Sequence, residues 1–175
     1  TKPFTFEGRK RSNAAELGIK NLKDRVDAII VIPNDKLLQI SKENVTMLEA
    51  FGYADDILRQ GVQGISDLIV VPGLINTDFA DVKTIMSSAG SALMGIGTAE
   101  GENRAVTAAQ MAISSPLLES SIQGAKGVLM NITAGPDLGI HEVNNACTIV
   151  QEVVDPDANI IYGHAVNEGM GSAIR

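Results

Sequence analysis

Residues 45–82 read VTMLEAFGYADDILRQGVQGISDLIVVPGLINTDFADV, and their first part predicts one long helix. Apolar residues recur there at spacings of three and four, which keeps them on one helix face; they are Leu48, Phe51, Ala54, Leu58, Val62, Ile65 and Ile69. Gly52, Gly61 and Gly64 lie inside this run, and each costs about 1 kcal/mol relative to alanine. Such a helix needs tertiary contacts on several sides, so we expect it to be central, with other elements packed against it.

The end of this helix is marked by Pro72-Gly73, since proline lacks the backbone donor and glycine frees the backbone. The acidic segment Asn76–Asp81 follows directly, with two carboxylates, one amide and the apolar pair Phe79 and Ala80. Carboxylates so spaced are often a solvated loop and a helix cap. Two carboxylates near a phosphate could instead orient a water and hold a cation, so both interpretations stay open.

Upstream, the sequence predicts an extended Thr1–Glu7 and a helix over 8–25. Arg9, Lys10 and Arg11 begin that helix, and a basic run is often only a solvated helix end. Positive charge is unfavourable beside the positive end of a helix dipole, which hints at an anionic neighbour such as Glu7 or a ligand.

The aliphatic run Val26–Pro33 is typical of a strand buried on both faces of a parallel sheet. Asn34-Asp35 comes immediately after it, at the strand's carboxyl end. Ligands bind at this edge of open α/β sheets, although Asn-Asp is also common as a plain turn or a helix cap.

The second half of the chain alternates strands and helices, as an α+β domain does. We expect a helix over 82–88, strands over 91–97, 125–133 and 159–166, and helices over 102–113 and 141–154. Cys147 lies on the apolar stripe of the last helix and is expected to be a buried core thiol. His141 is expected at a surface helix start and His164 in a strand, with no ligand spacing that would favour a metal site and no serine–histidine–aspartate arrangement.

The composition limits the classes of function. A net charge of −7 argues against a nucleic-acid partner, which needs a basic surface. The single cysteine excludes an internal disulfide and suits a reducing compartment. We expect no direct membrane insertion, because no apolar run reaches the roughly 18–20 residues needed to span a bilayer, and no signal peptide is recognisable.

Five segments resemble the FtsZ family, the tubulin-like GTPases of bacterial cell division, and they occur in the family's order. They are FEGRKR (Phe6–Arg11), VIPNDKLL (Val31–Leu38), NTDFADV (76–82), AISSPLLE (Ala112–Glu119) and GVLMNITAG (Gly127–Gly135). The resemblance extends over nearly the whole chain. It also implies a glycine-rich phosphate loop upstream of Thr1 and a further strand beginning near Arg175, so we expect the chain to be part of a longer protein.

The resemblance implies a GTP/GDP site in the first half. Glu7 and Arg11 would contact the sugar and phosphate side, and Asn34 would read the guanine. Phe51 would stack on the base, and Asp55, one helical turn later, would accept hydrogen bonds from the guanine ring N–H and amino group. From composition alone, Phe51 would be interpreted as ordinary core.

The resemblance also assigns a catalytic role to Asn76, Asp78 and Asp81, as the loop that enters the next subunit's nucleotide site. The protein would then associate with itself head to tail, bind Mg²⁺ with the nucleotide, and interact with division-ring regulators and membrane anchors. Its location would be the cytoplasm, in the midcell division ring, or the chloroplast stroma for a plastid homologue.

The predicted fold class is therefore α/β: the end of a Rossmann-like GTPase domain, a long central helix, and an α+β C-terminal domain with a mixed sheet. The predicted domains are residues 1–70 for the GTP-binding part, 71–82 for the acidic catalytic loop, and 83–175 for the C-terminal domain. Two alternatives are a module that binds or caps FtsZ filaments without hydrolysis, and an α/β hydrolase with an acidic site of its own.

Overall fold

The computed structural model describes residues 1–40, 45–71, 78–118 and 121–175, apart from the side chain of Ile40. Six helices and four strands occur in these ranges: α1 Arg9–Lys23, β1 Ala28–Ile30, α2 Asn34–Ile40, α3 Met47–Val70, α4 Phe79–Met86, β2 Gly90–Ala92, α5 Arg104–Ile113, β3 Gly127–Ala134, α6 Ile140–Gln151 and β4 Asn159–Val166. Short 3₁₀ turns lie at Thr5–Glu7 and Glu168–Met170. Among the helices of the described residues, none combines the length and the hydrophobicity that a membrane span requires.

The chain divides into two compact units, and α3 contributes residues to both. Unit 1 is formed by Thr1–Gly61, Met86–Met94 and a short segment that begins at Pro116. Unit 2 is formed by Val62–Ile85, Gly95–Ser115 and Ser121–Arg175. The domain boundaries inferred from sequence stay a prediction.

Unit 1 contains the parallel pair β1–β2, in which Ala28 lies opposite Gly90 and Ile30 opposite Ala92. The strand expected over Val26–Pro33 is therefore shorter, and Pro33 makes only an isolated parallel bridge to Lys2. The segment expected to be extended before Glu7 is likewise extended only at first, because its last three residues form a 3₁₀ turn. Parallel pairing agrees with the prediction, but residues 28–30 are half-buried rather than covered on both faces.

Unit 2 contains the parallel pair β3–β4, in register from Gly127 opposite Asn159 to Ala134 opposite Val166. Helix α6 makes the crossover between these strands, the usual connection of a parallel pair. An aliphatic core packs between this sheet and α5 and α6; its buried members are Ala105, Ala108, Ala109, Ile132, Ala134, Val143, Ala146 and Ile174. Ile174 adds antiparallel bridges to Ala99 and Ala134, so the pairing in this unit is mixed.

The strand expected over 91–97 forms only at its beginning, as β2. Gly95 and Gly97 lie against α5 so closely that a Cβ on either would be about 2 Å from a carbonyl oxygen of Ala112 or Ala108. The small residues here do permit a close backbone approach, as the sequence predicts. The approach is to helix α5, and β2 itself ends at Ala92.

Helix α3 is the long helix that the sequence predicts, but the face it buries differs from the expected one. Its buried apolar residues are Ala50, Ala54, Ile57 and Leu68, whereas most of the predicted stripe is exposed. Leu48 and Val62, for example, are 85% and 69% exposed. Gly61 and Gly64 continue the buried spacing of three and four. At Gly61, a Cβ would lie 2.8 Å from the sulfur of Met94, so this glycine permits a close contact within unit 1. The helix has two neighbouring apolar stripes, and the covered one combines small residues with Ile57 and Leu68.

Candidate functional site

Three segments of unit 1 carry the residues predicted to bind the nucleotide. Glu7 and Arg11 lie in the 3₁₀ turn and the first turns of α1, and Asn34 begins α2, four residues after the end of β1. Phe51 and Asp55 lie one turn apart in the N-terminal part of α3. The sheet edge at the carboxyl end of β1 is therefore where the first two segments meet, joined by the backbone bonds of Lys2 to Ile32 and Asn34.

Glu7 is fixed at both carboxylate oxygens. Its Oε1 accepts the backbone N–H of Phe4 at 2.9 Å, and its Oε2 pairs with Arg11 at 2.5 Å across one turn. The Glu7 side chain is only 10% exposed, whereas that of Arg11 is 71% exposed. The anionic neighbour expected for the basic run is thus Glu7, and the exposed guanidinium has further N–H donors for a ligand.

Asn34 is 6% exposed, and its amide oxygen Oδ1 is buried without a hydrogen-bond partner among the described residues. Its backbone N–H donates to the carbonyl of Lys2 at 3.0 Å, so its main chain is held in place. A buried polar atom without a partner costs about 1–3 kcal/mol, and such atoms are uncommon in folded proteins. A ligand donor such as a nucleobase N–H would satisfy this oxygen.

Phe51 belongs to an aromatic cluster with Phe4 and Phe6. The Phe4 ring is fully buried and stacks on Phe6 with centroids 5.0 Å apart. Phe51 meets Phe4 edge-on at 5.3 Å and remains 38% exposed, so one part of its ring is free to contact a ligand. Sequence reasoning missed Phe4 and Phe6, although the alternation in TKPFTFEG was a signal for them. Asp55 is exposed, and none of the described residues forms a hydrogen bond with its carboxylate.

The acidic segment lies partly outside the described residues, and Asn76 is one of the residues not described. Asp78 precedes α4, and its Oδ1 accepts the backbone N–H of Asp81 at 2.8 Å, which is the bond of a helix cap. Phe79 to Asp81 form the first turn of α4 rather than a loop, because this cap allows the helix to begin there. Asp81 is exposed, and Phe79 beside it is 63% exposed. The structure places these residues in unit 2, whereas the nucleotide candidates lie in unit 1.

Among the described residues, no group of three or more His, Cys, Asp or Glu side chains could hold a metal ion. Cys147 is half-buried against the core of unit 2, and burial raises the pKa of its thiol. Burial lowers the pKa of the His164 imidazole in β4, while His141 is exposed near the start of α6. Both histidines thus occupy the positions expected from sequence, and they lie in different secondary-structure elements.

Unit 2 also contains a charged cluster that the sequence did not predict. Arg104 at the start of α5 is 5% exposed. Its Nε and one terminal nitrogen donate to both oxygens of Glu142, at 2.8 and 3.1 Å. The other terminal nitrogen donates to Asp137 at 2.9 Å and to the carbonyl of Ser172 at 2.7 Å. The hydrogen bonds from Arg104, and a further one from the Gly139 backbone N–H, hold the pKa of Glu142 below its usual range. The cluster joins parts of the chain that are 33 to 68 residues apart, so no local pattern could have predicted it.

Comparison with known proteins gives one consistent result. Residues 90–175 match the family model described as FtsZ family, C-terminal domain. An empty FtsZ dimer from M. jannaschii is 40% identical, with a TM-score of 0.94, over 98% of this chain and 50% of that one. A tryptophan-to-tyrosine FtsZ mutant from the same organism is 41% identical, with a TM-score of 0.94, over 98% of this chain and 52% of that one.

A more distant likeness is to GDP-bound CetZ1 from Haloferax volcanii, which is 18% identical with a TM-score of 0.73, over 99% of this chain and 51% of that one. At this identity the likeness concerns the fold alone. The chain spans about half the length of each of these structures. The five segments, the parallel α/β units and the close similarity to the M. jannaschii structures agree, and the chain belongs to the FtsZ family.

Proposed function

We propose that this chain is part of a polymerising GTPase of cell division, and that it contributes to two different GTP sites. Unit 1 provides the base and sugar side of its own site. The acidic segment provides the catalytic groups for the GTP of a neighbouring subunit. The observation that carries the proposal is the buried, unpartnered Oδ1 of Asn34 at the carboxyl end of β1.

The base-binding part consists of Asn34, Phe51 and Asp55. The Asn34 amide oxygen accepts a hydrogen bond from the base, and the exposed part of the Phe51 ring stacks on it. Asp55 accepts from the guanine ring N–H and amino group, an edge that adenine does not offer. A carboxylate at this position discriminates between bases, since the wrong base leaves it without a partner.

The sugar and phosphate side consists of Glu7 and Arg11. Glu7 is held by Phe4 and Arg11, and its carboxylate can accept from sugar hydroxyls. Arg11 is mostly exposed and keeps donors for a phosphate oxygen. Mg²⁺ would accompany the nucleotide, held mainly by phosphate oxygens and waters as is usual for this ion.

Hydrolysis depends on Asn76, Asp78 and Asp81. A carboxylate can orient the attacking water and take up its proton, while the amide can fix the position of that water. Asp78 is oriented by its bond to the α4 backbone, and Asp81 is exposed in the same turn. The exposed Phe79 between them is available for contact with another molecule.

The length of α3, a single helix of 24 residues, supports the involvement of a neighbouring subunit. Asp55 and Val70 on it are 15 residues apart in sequence, or roughly 22 Å along the axis at 1.5 Å per residue. The acidic segment follows this far end of the helix, so its aspartates act on the GTP of another subunit. Such a head-to-tail contact does not close on itself and builds a filament. The filament would form the division ring of the cytoplasm, or of the stroma in a plastid homologue, together with its regulators and membrane anchors.

The test is the GTPase rate per molecule of the full-length protein at increasing protein concentration. We expect the rate to rise steeply with assembly. Asp81→Ala should bind GTP and polymerise, but hydrolyse at least about 100-fold more slowly, the scale of losing a positioned catalytic group. Mixtures with wild type should lower wild-type turnover, because each mutant leaves one interface without its catalytic residue.

A matched control is Asp157→Ala, which removes another exposed aspartate of unit 2 and should leave the rate unchanged. A rate independent of concentration, or near-normal hydrolysis by Asp81→Ala, would contradict the proposal. A filament-binding or capping module would instead hydrolyse no GTP at any concentration and would sediment with FtsZ filaments.

A further inference from the structure

Asp35 is the residue after Asn34, and both of its carboxylate oxygens are engaged by a single residue. Oδ1 accepts the backbone N–H of Thr5 at 2.9 Å, and Oδ2 accepts the Thr5 hydroxyl at 2.5 Å. Thirty residues separate the two partners in sequence, so this contact belongs to the fold of unit 1 and is not a local turn. From sequence, Asp35 was expected only as a turn or capping residue. In the structure its carboxylate instead binds the distant Thr5.

Thr5 is the first residue of the 3₁₀ turn that ends at Glu7. The N-terminal segment is tied to the end of β1 by the backbone bonds of Lys2, three residues earlier. Asp35 adds a second point of attachment, directly at the turn that carries Glu7. The Lys2 bonds and the buried Phe4 ring hold the segment before the turn, and the Asp35 contact acts on the turn itself.

Asp35 is joined to Asn34 by a peptide bond, and Thr5 is two residues before Glu7. The contact therefore sets the spacing between the Asn34 amide and the Glu7 carboxylate. We propose that Asp35 and Thr5 act as positioning residues, which fix the placement of Glu7 relative to Asn34, so that sugar recognition is coupled to base recognition. This inference rests on the nucleotide site proposed above.

The neighbouring contacts explain why the attachment matters for Glu7 more than for the aromatic cluster. Phe4 is fully buried and stacks on Phe6, so the apolar part of this segment is held by packing. Thr5 and Asp35 are both exposed, so the hydrogen bonds between them contribute little to the stability of unit 1 and act mainly on the local backbone geometry. Loss of the contact is thus expected to move Glu7 without unfolding unit 1.

The experiment measures affinities of the full-length protein for GDP, for 2′,3′-dideoxy-GDP and for ADP. Wild type should prefer GDP to both analogues. Glu7→Gln should remove most of the preference over the dideoxy analogue, which defines the sugar-reading signal. Asp35→Ala should weaken GDP binding about 10-fold, roughly the effect of losing one hydrogen bond to a charged group, and reduce the sugar preference to the level of Glu7→Gln. Preference over ADP should be retained, because Asn34 and Asp55 remain.

Thr5→Val is the second variant, because it keeps the side-chain volume and the backbone N–H while losing the hydroxyl. It should lower the sugar preference, and Thr5→Ser, which keeps both donors, should restore it. Asp27→Ala is the matched control: its Oδ1 accepts the backbone N–H of Ser88 at 3.1 Å at the other end of β1, so it removes a comparable bond without touching the Glu7 turn.

The two proposals fail in different ways. If wild type does not distinguish GDP from the dideoxy analogue, the sugar role of Glu7 in the proposed site is wrong. If wild type distinguishes them, Glu7→Gln does not, and Thr5→Val or Asp35→Ala keep the wild-type ratio, the positioning role is overturned while the nucleotide site stands.

Discussion

Replacement of Arg104 by methionine is expected to destabilise unit 2 strongly. The guanidinium is 5% exposed and donates four hydrogen bonds, three to carboxylate oxygens and one to the carbonyl of Ser172. Methionine is nearly as long as arginine and apolar, so the packing of the stem is largely kept. The charge and all four donors are lost.

The size of the effect follows from the exposure of the partners. Removing one member of a buried ion pair costs about 3–5 kcal/mol, because the remaining charge is left without compensation. The side chains of Glu142 and Asp137 are 33% and 53% exposed, so water can partly solvate them after the substitution. The carbonyl of Ser172 also loses its donor. We therefore expect a loss near the lower limit, about 3 kcal/mol, which lowers the melting temperature by roughly 6–12 °C for a chain of this size.

The assay is thermal unfolding followed by circular dichroism, with hydrogen exchange to locate the loss in α5, α6 and the segment around Ser172. Arg59→Met is the matched control, since Arg59 pairs with Asp56 at the surface and its side chain is 59% exposed. Surface pairs contribute about 0–1 kcal/mol. If Arg104→Met melts within the shift of Arg59→Met, or if the faster exchange appears outside unit 2, the buried cluster does not hold the unit together.

Three further results are expected. Asp55→Ala in the full-length protein should weaken GTP binding by about 1.5–3 kcal/mol and reduce the preference over ATP; unchanged affinity and preference in calorimetry would rule out its base-reading role. The 175-residue chain alone should bind GTP weakly or not at all, since its sequence has no glycine-rich loop to surround the phosphates; micromolar binding in the same assay would contradict this. Arg104 lowers the pKa of Glu142 in the folded state. The stability that Glu142 provides is therefore complete above its unfolded pKa of about 4.3, and it is lost as the pH falls through the folded pKa. Between pH 7 and pH 3, the urea midpoint of unfolding should fall less for Glu142→Gln than for wild type.

The elements with long, regular patterns were predicted from sequence almost residue by residue. Helix α3, strand β4 and helix α6 agree with the expectation to within a few residues. The apolar stripe of α6 is also confirmed, because Val143, Ala146 and Val150 are all buried. The spacing of apolar residues and the length of the segment determine such elements locally. Tertiary contacts then decide only which face of the helix or strand is buried.

Selection between faces is where the prediction for α3 was wrong. Of the expected stripe only Ala54 is buried, whereas the covered face also contains Ile57 and Leu68. The half-buried Gly61 and Gly64 continue that face, where they contribute close approach rather than buried area. Asn131 of β3 donates to the backbone carbonyl of Gly64 at 2.9 Å, a contact that only a nearby strand makes possible. A hydrophobicity scale gives alanine and glycine positions little weight. The element that packs against α3 must therefore be known before its buried face can be predicted.

The candidate site could be predicted only through resemblance, because its residues are individually ordinary. An Asn-Asp pair, a basic helix start and a lone phenylalanine each have a common structural explanation. What distinguishes them is relative placement: the unpartnered amide oxygen of Asn34, the two hydrogen bonds that Glu7 accepts, and the partly open ring of Phe51. Arg104 shows the same limit more plainly, since its partners come from two distant segments, one with Asp137 and Glu142 and one with Ser172.

Asp78 illustrates how a structural and a catalytic role can occupy one side chain. The cap uses only Oδ1, and the described residues provide no partner for Oδ2. A cap also fixes the side chain and the first turn of α4, which orients Asp81 three residues later. A capping interaction of this kind is therefore no evidence against catalysis, because a catalytic carboxylate needs the same rigid support. Asparagine caps helices as well as aspartate does, so Asp78→Asn separates the roles. A purely structural Asp78 would tolerate this substitution with its GTPase rate intact, whereas a catalytic Asp78 would lose hydrolysis while stability and GTP binding remained as in wild type.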